Sequence, residues 1–161
     1  MLGKNMYYGK DKILYRTIKA DRLSSIILFG PPGCGKTSLA RVISETTKYK
    51  FYKINAVTAG VADIKKIIEE TKNFMMNPIG KSILFIDEIH RFNKLQQDAL
   101  LPFVENGTII LIGATTENPY FEVNKALISR SMVIKLEPLS IENICQVLRN
   151  ALERKDGLRR I

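Results

Sequence analysis

Apolar residues gather in short segments along the chain, separated by polar and glycine-containing stretches. The pattern predicts strands over 25–29, 51–57, 82–86, 108–112 and 132–136, and the third and fourth of these are almost continuously apolar. Apolar runs of this length are typical of strands that are covered on both faces of a sheet. The chain therefore contains five candidate strands of one buried sheet.

Helical periodicity occupies the segments around these strands. Apolar residues recur there at three- and four-residue spacing, which predicts helices within 11–20 and over 38–43, 61–74, 95–104 and 121–128. Strands that alternate with helices favour a parallel sheet whose two faces are both covered. The predicted fold class is α/β, with a parallel five-stranded sheet and helices on both faces.

A last helix is predicted after the fifth strand. Ser140 is its candidate N-cap, because a serine hydroxyl can accept a hydrogen bond from the first turn. The apolar face of this helix comprises Ile141, Ile144, Cys145, Leu148 and Leu152.

The most informative local motif follows the first strand and opens the next helix. It matches the phosphate-binding pattern G-x-x-x-x-G-K-[ST] at every required position. Its residues are Gly30, Pro31, Pro32, Gly33, Cys34, Gly35, Lys36 and Thr37, with Ser38 completing the candidate contacts. Glycines let backbone N–H groups surround phosphate oxygens, and a helix N-terminus favours an anion. Lys36 is expected to reach the β- and γ-phosphates, and the Thr37 hydroxyl is expected to hold Mg²⁺. The motif predicts a site for a nucleoside triphosphate, taken as ATP.

Two adjacent acids, Asp87 and Glu88, end the third predicted strand. Ligands bind at the carboxyl ends of strands in open α/β sheets, so both acids are expected to face the bound nucleotide. We assign Asp87 to the magnesium ion and Glu88 to activation of the attacking water. This pair favours hydrolysis over transfer to a hydroxyl acceptor.

Polar residues also follow the fourth strand, where Thr116 and Asn118 are expected to approach the γ-phosphate or the water. Farther along, Arg130 ends a predicted helix. An arginine placed on a phosphoryl-transfer site accelerates the reaction by ~10³–10⁵. On the residues alone, however, a surface charge is the more favoured interpretation of Arg130.

Composition narrows the class of protein without deciding its partner. The chain has 161 residues and a net charge of +9, which suits nucleic acid but equally suits a solvated basic face. No apolar run reaches the ~18 residues of a membrane span, and the N-terminus lacks the apolar core of a secretory signal. Two cysteines, Cys34 and Cys145, do not make a disulfide framework and favour reduced thiols in a cytoplasmic protein.

Three stretches together resemble one known family. Gly30–Thr37, Leu84–Pro102 and Ile112–Arg130 look like an AAA+ ATPase, and more narrowly like the replication-associated recombination protein A (MgsA) family, which is similar to the Werner-helicase-interacting proteins. The resemblance covers about residues 12–155. It implies that Gly30–Thr37 is Walker A and that Leu84–Glu88 is Walker B.

The resemblance also implies roles for single residues and for partners. Thr116 would be sensor 1, with Asn118 as the less favoured choice, and Arg130 would be an arginine finger that acts in trans. Members of the family act on DNA at stalled or gapped forks. The expected partners are therefore DNA forks or single-strand/double-strand junctions and further copies of the chain, without a membrane. The expected location is the cytoplasm, with nucleoid association in a bacterium.

Departures from the family pattern set the expected domain boundaries. Residues 1–137 are interpreted as the AAA+ core, with 1–10 replacing the segment that helps to hold the adenine. Residues 138–161 are interpreted as the start of a truncated helical lid. ATP hydrolysis is expected to be weak or absent in such a fragment.

Other functions remain open on the sequence. One alternative is a nucleotide-binding module without turnover, and another is a small phosphotransferase. A GTPase is disfavoured, because Asn93-Lys94 is not followed by the aspartate that guanine recognition requires two residues on. His90, beside the Walker B acids, could relay the nucleotide state to a neighbour, but a packed structural histidine is the favoured interpretation.

Overall fold

Five parallel strands form the centre of the molecule. The computed structural model describes residues 23–33, 35–137, 145–146 and 148–150. The strands are β1 (Ser25–Phe29), β2 (Lys50–Asn55), β3 (Ser82–Asp87), β4 (Ile109–Thr115) and β5 (Ser131–Lys135). Their order across the sheet is β2-β3-β4-β1-β5, and every neighbouring pair runs parallel. The predicted α/β fold with a parallel five-stranded sheet is confirmed.

Helices connect these strands. They are α1 (Lys36–Glu45), α2 (Val61–Lys72), α3 (Lys94–Glu105), α4 (Pro119–Glu122) and α5 (Lys125–Ser129), and a 3₁₀ turn covers Ile89–Arg91. The helix predicted within 11–20 and most of the helix predicted from Ser140 lie outside the described residues. Within the described part of the chain, no helix has the length and apolar character needed to cross a lipid bilayer.

The prediction of one continuous helix over 121–128 is wrong. The chain there forms the two short helices α4 and α5, separated at Val123 and Asn124. Asn124 starts the second helix, since its side chain accepts a hydrogen bond from the Ala126 N–H at 2.8 Å. Its own N–H donates to Oε1 of Gln97 on α3 at 2.7 Å. A side-chain cap and a tertiary partner therefore interrupt the periodicity.

Two strand ends differ from the prediction by two residues or more. The predicted extension of β2 to Val57 is wrong, because Oδ1 of Asn55 accepts the Val57 N–H at 2.9 Å and turns the chain. Strand β4 runs three residues beyond Ile112, to Thr115. This longer strand brings Thr115 to the edge where the phosphate-binding loop begins.

Alternating side chains divide the core into two layers. On one face, Ile26, Leu28 and the apolar side of α1 pack together with Cys145 and Leu148. On the other face, Ile27 packs with side chains of α2, α3, α5 and the 3₁₀ turn. Because the strands are covered on both faces, their apolar runs are almost continuous. The loops at the carboxyl edge are left to carry polar chemistry.

Candidate functional site

The phosphate-binding loop leaves β1 beside the end of β4. The Gly30 N–H donates to the Thr115 carbonyl at 3.2 Å, and this bond fixes the start of the loop to the neighbouring strand. Gly33 and Gly35 have φ values of 78° and 87°. Residues other than glycine rarely adopt this backbone conformation, so both positions favour glycine strongly. Cys34, between them, lies outside the described residues.

Lys36 folds back over the loop that precedes it. Its Nζ donates to the carbonyls of Gly30 at 2.9 Å and Pro31 at 3.1 Å. The ammonium group therefore lies at the concave side of the loop, where an anion would be surrounded by backbone N–H groups. The same residue begins α1, whose first turn contains no acidic side chain to compete with a bound phosphate.

The two acids follow directly from the end of β3. Asp87 is half-buried, and its Oδ1 accepts the Glu88 N–H at 3.0 Å. Glu88 has φ 57° and ψ 42°, and it is the one non-glycine residue with positive φ in the described part of the chain. A left-handed conformation is unfavourable for a residue with a long side chain, and such strained conformations cluster at functional sites.

A close approach to β4 holds the turn that carries Glu88. Ile89 is fully buried and packs over Gly113. A Cβ atom at Gly113 would lie 2.7 Å from Cδ1 of Ile89 and 2.9 Å from Cδ1 of Ile27. Such distances are shorter than carbon–carbon contacts allow. Glycine at this position therefore lets the turn after β3 approach the sheet.

His90 joins Glu88 to the end of β4. Its Nε2 lies 3.3 Å from Oε2 of Glu88, and its Nδ1 lies 2.7 Å from Oγ1 of Thr115. The Thr115 hydroxyl also accepts the Glu117 N–H at 3.0 Å. Sequence reasoning missed this connection, because it placed the functional threonine at Thr116 and treated His90 as a packed residue.

Thr116 and Asn118 differ in how their side chains are engaged. Oδ1 of Asn118 accepts the Tyr120 N–H at 3.0 Å and caps α4. Thr116 is half-buried and directly follows the end of β4. Thr116 is the chain neighbour of Thr115, whose carbonyl accepts the Gly30 N–H, and its side chain, unlike that of Asn118, does not cap α4.

Arg130 lies at the amino ends of the strands, whereas the phosphate-binding loop lies at their carboxyl ends. Arg130 immediately precedes β5, whose first residue, Ser131, is paired with Ser25 at the start of β1. Five residues of extended chain separate those amino ends from the loop, about 16 Å at ~3.3 Å per residue. The Arg130 guanidinium forms an exposed ion pair with Glu105 at 3.3 Å. The structure therefore does not bring Arg130 together with Lys36 and Glu88 of the same chain.

A magnesium ion fits the oxygen donors at the carboxyl edge. Mg²⁺ prefers hard oxygen ligands and keeps several waters, so one or two protein ligands plus substrate phosphates are enough. The Thr37 hydroxyl in the first turn of α1 and the Asp87 carboxylate are donors of this type. Among the described residues, there is no group of three or more His, Cys, Asp or Glu side chains for a metal held by protein alone.

The fold and the loop after β1 define the class of protein as a P-loop nucleoside triphosphatase. Residues 26–138 match the ATPase family associated with various cellular activities (AAA), and the chain belongs to this family. The expectation of an AAA+ ATPase is thereby confirmed.

Individual relatives agree with the narrower resemblance. The chain is 51% identical over 154 residues to replication-associated recombination protein A of Escherichia coli K12, covering 96% of this chain and 34% of the relative. It is 49% identical over 153 residues to ATPase WRNIP1 of Dictyostelium discoideum, covering 94% of this chain and 17% of the relative. The chain thus spans about a third or less of the length of these curated relatives.

Solved structures show the same fold. The Holliday junction branch migration motor RuvB of Thermotoga maritima is 27% identical, with a TM-score of 0.64. The similarity covers 83% of this chain and 45% of that chain.

Proposed function

We propose that the chain is the ATP-binding and ATP-hydrolysing module of a protein that maintains DNA during replication and recombination. The observation that carries this proposal is the meeting of three elements at one edge of the sheet. Thr115 at the end of β4 is bonded through its carbonyl to Gly30 and through its hydroxyl to His90, which contacts Glu88. The phosphate-binding loop and the acids of β3 are thereby held in one arrangement.

Each residue of this edge has a distinct role in the proposed hydrolysis. Lys36 neutralises charge on the β- and γ-phosphates, and Glu88 accepts a proton from the water that attacks the γ-phosphate. Thr37 and Asp87 would hold a magnesium ion, which would supply Lewis-acid stabilisation of negative charge on the phosphate oxygens. Thr116 contacts the γ-phosphate or the water as sensor 1, since Asn118 is engaged in capping α4.

Arg130 completes the site of a neighbouring copy in this proposal. Arg130 immediately precedes β5 at the amino ends of the strands, and the length of β1, about 16 Å, separates those ends from the phosphate-binding loop, which supports action in trans. This placement also supports weak turnover by an isolated copy, because an arginine at the transition state contributes ~10³–10⁵ in rate.

The partners follow from the relatives and from charge. A relative whose name refers to replication and recombination supports DNA forks or single-strand/double-strand junctions as the partner of the full-length protein. The net charge of +9 favours contact with a polyanion. We place the protein in the cytoplasm. We also propose that it forms a homo-oligomer, because Arg130 can then reach the nucleotide site of a neighbouring copy.

The test is MgATP turnover by the full-length protein, measured with and without single-stranded and forked DNA. Lys36→Ala is expected to abolish MgATP binding, whereas Lys48→Ala, on an exposed lysine just after α1, is the matched control and should bind normally. Glu88→Gln is expected to bind ATP within a few fold of wild type and to lose about 10²–10⁴ in hydrolysis, as for a lost general base. Glu69→Gln, on the exposed side of α2, is its control. Equal ATP affinity of wild type and Lys36→Ala contradicts the assignment.

A further inference from the structure

We propose that His90 is a positioning residue that sets the orientation of the Glu88 carboxylate from the end of β4. The proposal rests on the proposed function, because it concerns the residue assigned to activate water. Nε2 of His90 lies 3.3 Å from Oε2 of Glu88, and Nδ1 lies 2.7 Å from the Thr115 hydroxyl. Both polar atoms of the imidazole ring are thereby occupied, one by the base and one by the strand.

The donors and acceptors form a consistent chain. An ionised carboxylate can only accept, so it favours the proton of the imidazole on Nε2, which leaves Nδ1 to accept from the Thr115 hydroxyl. The Glu117 carbonyl is a second acceptor for this hydroxyl proton, but at 3.4 Å it is much farther away than Nδ1 at 2.7 Å. The hydroxyl oxygen in turn accepts the Glu117 N–H at 3.0 Å. The chain begins on the backbone after β4 and ends on the carboxylate of Glu88.

The burial of His90 and Thr115 argues against the interpretation that His90 only fills space in the core. The His90 side chain is 11% exposed and Thr115 is 1% exposed, whereas the Glu88 side chain is 35% exposed. Burying a hydroxyl or an imidazole is unfavourable unless each polar atom finds a partner. The ring satisfies this requirement by joining the buried threonine to the more exposed carboxylate, which would otherwise be free to change rotamer.

The backbone on both sides of Glu88 is already fixed. Its carbonyl accepts the Arg91 N–H at 2.8 Å, its N–H donates to Asp87, and Ile89 is seated over Gly113. The remaining freedom of Glu88 is that of its long side chain, and His90 restricts this freedom. Thr115 also holds the Gly30 N–H, so the same residue aligns the phosphate-binding loop and, through His90, the base.

The consequence is a selective effect on turnover. Without His90 the carboxylate samples its other rotamers, and the loss of positioning is expected to lower kcat for ATP about tenfold to thirtyfold, the factor equivalent to the rotamer freedom of a glutamate. ATP binding depends on the phosphate-binding loop and should change by less than about twofold. Thr115→Val, which keeps the shape of the side chain but removes the hydroxyl, should lower kcat in the same direction.

A double-mutant comparison in the full-length protein tests the inference. His90→Ala is measured in the wild-type background and in the Glu88→Gln background, with kcat, KM and thermal stability recorded for each variant. If His90 acts through Glu88, it lowers kcat in the first background and has little further effect in the second. Arg91→Ala, on the exposed neighbour in the same turn, is the control and should keep the wild-type kcat.

Each outcome has a definite meaning. An unchanged kcat in His90→Ala, or an equal loss in both backgrounds, overturns the inference. His90→Gln retains a donor and an acceptor, so it should recover part of the activity that His90→Ala loses. If the alanine variant does not fold, Thr115→Val carries the test, and an unchanged kcat there overturns the inference. Absence of turnover in wild type, or full activity of Glu88→Gln, contradicts the proposed function instead.

Discussion

Replacing Gly113 by alanine tests how closely the turn after β3 must approach the sheet. The added Cβ would lie 2.7 Å from Cδ1 of Ile89, 2.9 Å from Cδ1 of Ile27 and 3.2 Å from Cγ2 of Ile89. Carbon atoms attract best at about 3.5–4.0 Å, so the nearest methyl group must withdraw by about 0.8 Å or more. Both isoleucines are fully buried, so neither can move into solvent.

The expected cost has two components, one in stability and one in rate. Overpacking a filled core typically costs about 1–3 kcal/mol. For a domain of this size that corresponds to a decrease in Tm of about 2–12 °C. Ile89 lies between Glu88 and His90 in the chain, so a displacement of Ile89 also moves Glu88, the proposed general base. Misplacement approaching 1 Å can lower kcat by about 10²-fold, and we expect a loss of tenfold to hundredfold.

The assay combines thermal unfolding with MgATP turnover in the full-length protein. Gly60→Ala is the matched control, because an added Cβ there meets no heavy atom within 4 Å. It should cost no more than the ~1 kcal/mol of a changed N-cap and should retain kcat. Ile89→Val removes the nearest methyl group and alone costs about 0.5–1.5 kcal/mol.

The combined variant decides between steric contact and other causes. Gly113→Ala together with Ile89→Val should be less destabilised than the sum of the two single variants, by at least ~0.5 kcal/mol. Strict additivity, or a Gly113→Ala variant with the Tm and kcat of wild type, would refute the argument from close approach.

Three further predictions concern the interface, the core and a thiol. Mixing full-length Arg130→Ala with full-length Glu88→Gln should restore partial hydrolysis, since one interface in the mixture pairs both intact residues; no recovery at any ratio counts against action in trans. Asn77→Ala should destabilise the fold by ~1–3 kcal/mol, because the buried amide donates to Oγ of Ser82 at 3.1 Å, and a Tm equal to wild type would contradict this. Burial raises the pKa of the Cys145 thiol, so a disulfide reagent should modify it more slowly in the native protein than in urea across pH 8–9; equal rates would contradict the burial.

The sequence predicted those parts of the fold that depend on local pattern. The five strands, α1 to α3 and the loop from Gly30 to Thr37 are specified by apolar runs, periodicity and glycine spacing within short windows. The order β2-β3-β4-β1-β5 is not, because it depends on which strands pair after long crossovers. The break at Asn124 depends on Gln97, 27 residues away in the chain.

The candidate site was predictable to a similar extent. Lys36, Asp87 and Glu88 lie where the motifs placed them, at the carboxyl edge of the sheet. The contact of His90 with Thr115 joins residues 25 positions apart and depends on two strands being neighbours. Thr115 ends β4 and Thr116 follows it directly, and period-2 alternation along the strand puts Thr115 on the face that Ile89 contacts. Without the sheet order, nothing in the sequence identified that face.

The position of Arg130 has a consequence for how many complete sites an assembly contains. On the proposed assignment, each copy supplies a phosphate-binding loop at one edge of its sheet and an arginine at the other. An open row of copies then leaves one loop without an arginine at one end and one arginine without a loop at the other. A closed ring leaves no loop and no arginine unpaired, so ATP turnover per copy should rise when the last copy closes the ring. Turnover should also fall more steeply on dilution than ATP binding does.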